Sequence, residues 1–181
     1  MTFYKAKSLF EILRIKSLYK KAFPMEDRKP FSIIIKMARK GKTDICYFEE
    51  NGAFLGTAIT INGESEILVD YFAVSEKKRG LGNGHKMLSS LVEHYQPKGV
   101  FLEIEIPYHD AENYSDRVRR KKFYLDLGFV PMGTEACLFG VDMELLGIGC
   151  QLDYNEYRDF YLKNYGRFAY DHITKPKGSP L

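Results

Sequence analysis

Residues 66–74, EILVDYFAV, run through a turn holding Gly80, Gly82 and Gly84 straight into a helical pattern over 84–95. No other stretch constrains the fold as much. β-Branched and aromatic side chains suit a pleated, half-buried strand. Met87, Leu88, Leu91, Val92 and Tyr95 then recur on one helical face, and Pro97 and Gly99 stop it. A second apolar strand occupies 100–106. Strand, helix and strand in that order predict parallel pairing through a right-handed crossover. Glycines let the turn bend tightly and let a ligand approach the backbone N–H groups. The helix start adds unpaired donors and a partial positive charge. The unit therefore suits a phosphate or pyrophosphate.

The flanking chain has readable punctuation. Ser8 and Glu11 stand at capping-box spacing, and Leu9, Ile12, Leu13, Ile15, Leu18, Tyr19 and Ala22 continue a helical stripe over residues 8–23. A second helix is expected over 30–39, opened by Pro30. The period then changes. Strands are expected over 44–48, 53–61 and 66–74, joined by the Asn-Gly pairs at 51–52 and 62–63, giving a three-strand antiparallel meander. Beyond residue 106 a polar loop precedes a helix over 115–127, closed by Gly128. Two strands near 129–138 and 140–146 and a Tyr-rich helix over 153–165 follow. Residues 174–181 are rich in Pro, Gly, Ser and Lys and are expected to lack order.

The charge balance narrows the partners. Among 181 residues, 27 are Lys or Arg and 24 are Asp or Glu, a net charge of +3 without the basic excess of a nucleic-acid binder. Arg119, Arg120, Lys121 and Lys122 read as a solvated helix face. The odd cysteine count, Cys46, Cys137 and Cys150, fits neither a disulfide framework nor a zinc site. Reduced thiols and no visible signal peptide or apolar span point to a cytoplasmic protein with no metal, nucleic-acid or membrane partner.

The glycine turn is not a Walker A loop, because no Gly-Lys-Ser/Thr follows. Its G-x-G-x-G spacing and its place after a meander also fit a dinucleotide fold poorly. Arg79-Gly80-Leu81-Gly82-Asn83-Gly84 does match Q/R-x-x-G-x-G/A, the phosphate-binding signature of the GNAT superfamily of N-acetyltransferases. Phe123-Tyr124-Leu125-Asp126-Leu127-Gly128-Phe129 matches that superfamily's F-Y-x-x-x-G-F ending. The chain thus resembles a GNAT N-acetyltransferase in residues 1–147 by element order, with residues 66–130 carrying the motifs.

The resemblance implies an α/β (α+β) fold, with a mixed, splayed β-sheet of about six or seven strands and flanking helices. It implies an acyl-CoA N-acyltransferase domain over 1–147, followed by a Tyr-rich helix and flexible tail over 148–181. It implies acetyl-CoA as acyl donor. The backbone of Phe72, Ala73 and Val74 would hold the pantetheine arm. The amides of Arg79, Gly80, Leu81, Gly82, Asn83 and Gly84 would hold the pyrophosphate, and Asn113 is the match to a CoA-contacting asparagine. Tyr124 matches the general acid.

The base has three candidates. Glu103 and Glu105 share one face of a strand, and Asp70 lies on the preceding strand. Glu103 matches the acidic position some family members use. The bland alternative is structural pairing of these acids with Arg117, Arg119 or Arg120. The acceptor is expected to be a small-molecule or peptide amine. A non-catalytic acyl-CoA-binding sensor or scaffold is the alternative, and a nucleotide-phosphate binder is a third reading. The Tyr-rich segment reads as a homodimer surface, an aromatic lid or core packing.

Overall fold

A computed structural model of the chain describes residues 1–176, which form two compact units, residues 1–96 and 97–176. In the first unit, strands β1 (Thr2–Lys5), β2 (Thr43–Glu50), β3 (Ala53–Asn62) and β4 (Glu66–Val74) pair antiparallel in that order. Helices α1 (Leu9–Ala22) and α2 (Phe31–Arg39) precede β2, and α3 (Asn83–Tyr95) follows β4. Ser8 caps α1 through the expected capping box. Asn51 and Gly52, at φ 52° and 74°, make the tight turn between β2 and β3.

Ile15, Tyr19, Phe31 and Ile34 of the two helices bury one face of the strands, against Ile45, Tyr47, Ile59 and Tyr71. Leu9 and Leu13 of the expected α1 stripe are instead exposed. The buried face of α1 is narrower than the apolar pattern, because only Ile15 and Tyr19 meet the strands at full depth.

The other face takes α3. Tyr95 donates to Asp44 (2.8 Å) and shares a hydrogen bond with Thr60 (2.7 Å). A side chain at Gly56 would collide with this arrangement. A Cβ there would lie 2.2 Å from the Ala73 carbonyl oxygen and 2.6 Å from the Met87 methyl carbon. Gly56 thus lets α3 and the end of β4 sit close to β3.

In the second unit, β5 (Gly99–Glu105), β6 (Val130–Leu138), β7 (Val141–Ile148) and β8 (Ile173–Thr174) lie in the order β5-β7-β6-β8, each pair antiparallel. Helices α4 (Tyr114–Leu125), α5 (Tyr154–Tyr165) and α6 (Arg167–Asp171) complete it. Asp153 and Glu156 form a second capping box at the start of α5.

Most expected elements are present within a residue or two. β1, α6, β8 and a 3-10 turn at Glu76–Lys78 were not anticipated. Segments of two to five residues carry too few positions for a period to show. Thr174, expected in a disordered tail, pairs with Cys137 in the β6–β8 ladder. The rest of that expectation, from residue 177 on, lies outside the described residues.

Gly56→Ala is expected to destabilise the protein by roughly 1–3 kcal/mol, because the clash is with backbone that cannot rotate away. Denaturant unfolding of the two proteins measures it.

Candidate active site

The end of β4 and the start of α3 build an anion cradle from local geometry. The Ser75 N–H donates to the Leu55 carbonyl (2.8 Å), and the 3-10 turn then redirects the chain. Gly80 and Gly82 adopt φ of 73° and 72°, the left-handed region that glycine enters without steric cost. The first helical hydrogen bond of α3 runs from Lys86 N–H to the Gly82 carbonyl at 3.3 Å. The amides of the preceding residues are therefore the orphan donors of a helix start.

Asn83 braces the loop from inside. It is buried, and its Nδ2 donates to the Lys78 carbonyl at 2.8 Å. The Arg79 Nε donates back to the Val74 carbonyl at 3.2 Å. A Cβ on Gly80 or Gly82 would meet nothing within 4 Å, so the space beside these amides is open. These residues fit a pyrophosphate. A groove of about 700 Å³ adjoins the loop, its apolar floor including Phe10 and Leu13 and its cations including Lys77 and Arg79.

Asp70 owes its setting to an irregularity in β4. Ile59 pairs with Tyr71 but the next residue, Thr60, pairs with Val69, so Asp70 has no partner on β3. Such a bulge re-aims a side chain. Both carboxylate oxygens of Asp70 accept from Lys29 Nζ, at 2.6 and 2.8 Å. Tyr71 reinforces the contact: its hydroxyl donates to the Asp27 carbonyl and accepts from the Lys29 N–H, each at 3.0 Å. The loop between α1 and α2 is thereby strapped to β4. Phe72 and Val74 on β4 are half-buried, and Ala73 is buried.

The second unit carries the other candidates. Glu105 is held by two arginines of α4, Arg117 at 2.8 Å and Arg120 at 3.2 Å. Arg117 Nε also donates to Asn113 Oδ1 (2.7 Å), so the Asn113 side-chain oxygen braces that arginine. Arg119 pairs with Asp116 instead. Glu103 has different partners. Its Oε1 accepts from the hydroxyls of Tyr157 and Tyr161, both at 2.7 Å. Both tyrosines are buried in α5. Sequence reasoning missed them as site residues. Their i, i+4 spacing was a signal that they share a helix face, but nothing in it named Glu103.

Tyr124 lies in the last turn of α4. Its carbonyl accepts from the Leu127 and Phe129 amides, at 3.1 and 3.2 Å, and Gly128 turns the chain at φ 87°. This is why a glycine stands one turn after the tyrosine. The Tyr124 ring sits edge-on to Phe129, centroids 5.9 Å apart. Burial pushes its phenol above the ordinary 10.0, against a smaller downward pull from Arg120. His85 and His109 are exposed.

Orphan amides at a helix start suit a phosphate, and a phenol and carboxylates suit proton transfer. The sequence profile of the Acetyltransferase (GNAT) family matches residues 12–129. The chain belongs to that family and is an acyltransferase. Solved structures agree on the fold. A protein from Bacteroides thetaiotaomicron assigned to the GNAT family superposes with a TM-score of 0.78 at 19% identity, covering 92% of this chain and 99% of its own. A spermidine N-acetyltransferase variant from Vibrio cholerae gives 0.62 at 13% identity, covering 82% and 94%. An aminoglycoside 6'-N-acetyltransferase complexed with coenzyme A gives 0.62 at 12%, covering 82% and 96%. No curated protein sequence matches the chain. Among the described residues, no helix is long and apolar enough to cross a membrane.

Gly82→Ala forces a β-carbon into the left-handed region, a cost of roughly 1–2 kcal/mol, and relief of that strain would reorient the loop amides. Acetyl-CoA affinity is expected to fall at least about tenfold while the protein stays folded. Calorimetric titration and circular dichroism of the same sample read both.

Proposed function

We propose that this protein moves an acetyl group from acetyl-CoA to a primary amine by direct transfer, with Tyr124 as general acid and Glu103 as base, directly or through water. The observation that carries this reading is the state of Tyr124. It is a half-buried phenol in the last turn of α4, where the family motif has its tyrosine, and burial pushes its pKa up from an ordinary value that already leaves it protonated at neutral pH.

When bound, acetyl-CoA supplies an activated thioester and departs as a thiol. The chain's own groups have three tasks. An amine with a lysine-like pKa of about 10.4 must lose a proton, which costs roughly 4–5 kcal/mol at pH 7, and a carboxylate takes it. The Phe72 backbone N–H is the candidate donor to the developing oxyanion. Tyr124 would donate its phenol proton to the leaving sulfur, at modest cost given pKa values of about 10 and about 8.5 for the two groups.

The amides of residues 80–84 would hold the pyrophosphate, the Arg79 amide being already spent on the Glu76 carbonyl at 3.2 Å, and the backbone of residues 72–74 would hold the pantetheine arm. The Asn113 amide group is the proposed further cofactor contact. Among the acids, Glu103 is the best-supported base. Asp70 and Glu105 each sit in salt bridges with Lys29 or with Arg117 and Arg120, and Glu103 is held on one oxygen by two phenol hydroxyls at the acidic position that the family resemblance assigns to a base.

The acceptor we infer is a small cationic amine. Support comes from the carboxylate base and from two neighbours of the same fold named for spermidine and aminoglycoside acetylation. A peptide amine is the other acceptor class. Three free cysteines support a cytoplasmic setting.

Calorimetric titration with acetyl-CoA, with ATP and NAD as controls, tests the donor. Binding of acetyl-CoA alone is expected, and its failure would overturn the reading. Tyr124→Phe is expected to lower kcat by about 10²–10⁴ with acetyl-CoA affinity nearly unchanged, measured by thiol release over an amine panel. Unchanged turnover would remove Tyr124 as the acid. Because the protonated phenol is the active form and its pKa is raised, the alkaline loss of turnover it governs is expected above pH 10.

A further inference from the structure

We propose that Tyr157 and Tyr161 are positioning residues of the transferase, which clamp one oxygen of Glu103 and hold its carboxylate ionised and in a single orientation for the acceptor amine. The inference rests on the acetyl-transfer reading and gives a function to the C-terminal helix, beyond the matched family region at residues 12–129.

The geometry is specific. Tyr157 and Tyr161 stand one turn apart on α5, and their hydroxyls converge on the same atom, Oε1 of Glu103, both at 2.7 Å. Their rings meet edge to face with centroids 5.1 Å apart, so each limits the other's rotation. Their exposures are 0% and 2%. A buried phenol needs a hydrogen-bond partner, yet two separate carbonyls would meet that need. Convergence on a single carboxylate oxygen does something else. Two O–H donors stabilise the charged form and fix the plane of the group.

The helix that carries them is itself fixed. Asp153 accepts from the Asn155 and Glu156 amides, and Glu156 accepts from the Asp153 amide, which sets where α5 begins. Phe160 packs edge-on against Phe101, centroids 5.0 Å apart, and Phe101 shares a strand face with Glu103. Tyr165 stacks on Tyr161 at 4.9 Å. The ring-bearing side of the helix is thus spent on β5 and on Glu103.

A base that must accept a proton works only while ionised, so activity falls as pH drops through its pKa. Removing donors to the charged form raises that pKa and moves the acidic limb to higher pH. Within residues 97–176, Glu105, paired with Arg117 and Arg120, shares the strand face of Glu103, Tyr165 stacks on Tyr161, and Glu144 with Lys121 belongs to the opposite face, beside Ile104. Tyr→Phe substitutions leave all of them in place.

The experiment uses the full-length protein and the variants Tyr157→Phe, Tyr161→Phe and the pair together. Carbon-13 titration of the glutamate carboxyls, with Glu103 assigned through Glu103→Gln, reports the carboxyl pKa without substrate. The pH profile of kcat/KM with acetyl-CoA reports the acidic limb. Each lost hydroxyl is expected to raise both by about one pH unit, and the double variant by more than either single one. A lowered melting temperature with both titrations unmoved would make the tyrosines structural only and overturn the proposal. If the double variant fails to fold, the single variants decide. If the wild type acetylates no amine, the acetyl-transfer reading fails, while the carboxyl titration still tells whether the clamp exists.

Discussion

The amides that open α3 have no place in the helix ladder, and the architecture of the first unit is arranged around leaving them so. The left-handed turns at Gly80 and Gly82 carry the chain from strand to helix within a few residues. Asn83 supports the loop from below by bonding the Lys78 carbonyl. Gly56 removes the side chain that would keep β3 from the Ala73 carbonyl and from Met87. A helix start with orphan donors is unfavourable in an apolar setting and favourable beside an anion. Loop, helix start and the close contact at Gly56 are contiguous parts of that arrangement.

Acidic side chains are sorted by what balances them. Asp70 would be a costly charge on a β-strand, with only 6% of its side chain exposed, and Lys29 neutralises it. That pairing also ties the loop between α1 and α2 to β4. Glu105 is neutralised by two arginines of α4. Glu103 is treated differently, with phenol hydroxyls on one oxygen. Hydrogen bonds from phenol hydroxyls stabilise the charged form of a carboxylate and fix its plane.

The tyrosines show how one residue type serves opposite ends. Tyr124 ends a helix with its ring against Phe129, and burial holds its proton. Tyr157 and Tyr161 donate to an acid. Tyr71 and Tyr95 anchor loops and strands through hydroxyls whose ionisation burial suppresses. In each case a phenol supplies apolar area and one directional donor.

Much of the fold was legible because it is encoded over short distances. The strand from Glu66 to Val74, the glycine turn, the capping box at Ser8, and the Tyr124–Gly128 pair depend on residues within a few positions of one another. The short strands at Thr2–Lys5 and Ile173–Thr174 were not legible, since their order comes from a partner strand and not from their own pattern. The three acids could be named as candidates, with Glu103 favoured as base by the family resemblance, but their partners could not be read. Lys29 lies 41 residues from Asp70, and Tyr157 and Tyr161 lie 54 and 58 residues from Glu103. By itself the sequence determined the glycine turn before α3 and the place of Tyr124 in the last turn of α4, because backbone conformation and helix termination are local. The tertiary structure alone decided that Lys29 meets Asp70, that two arginines meet Glu105 and that two phenols meet Glu103, because the energy of a buried charge depends on groups that only folding brings within hydrogen-bonding distance.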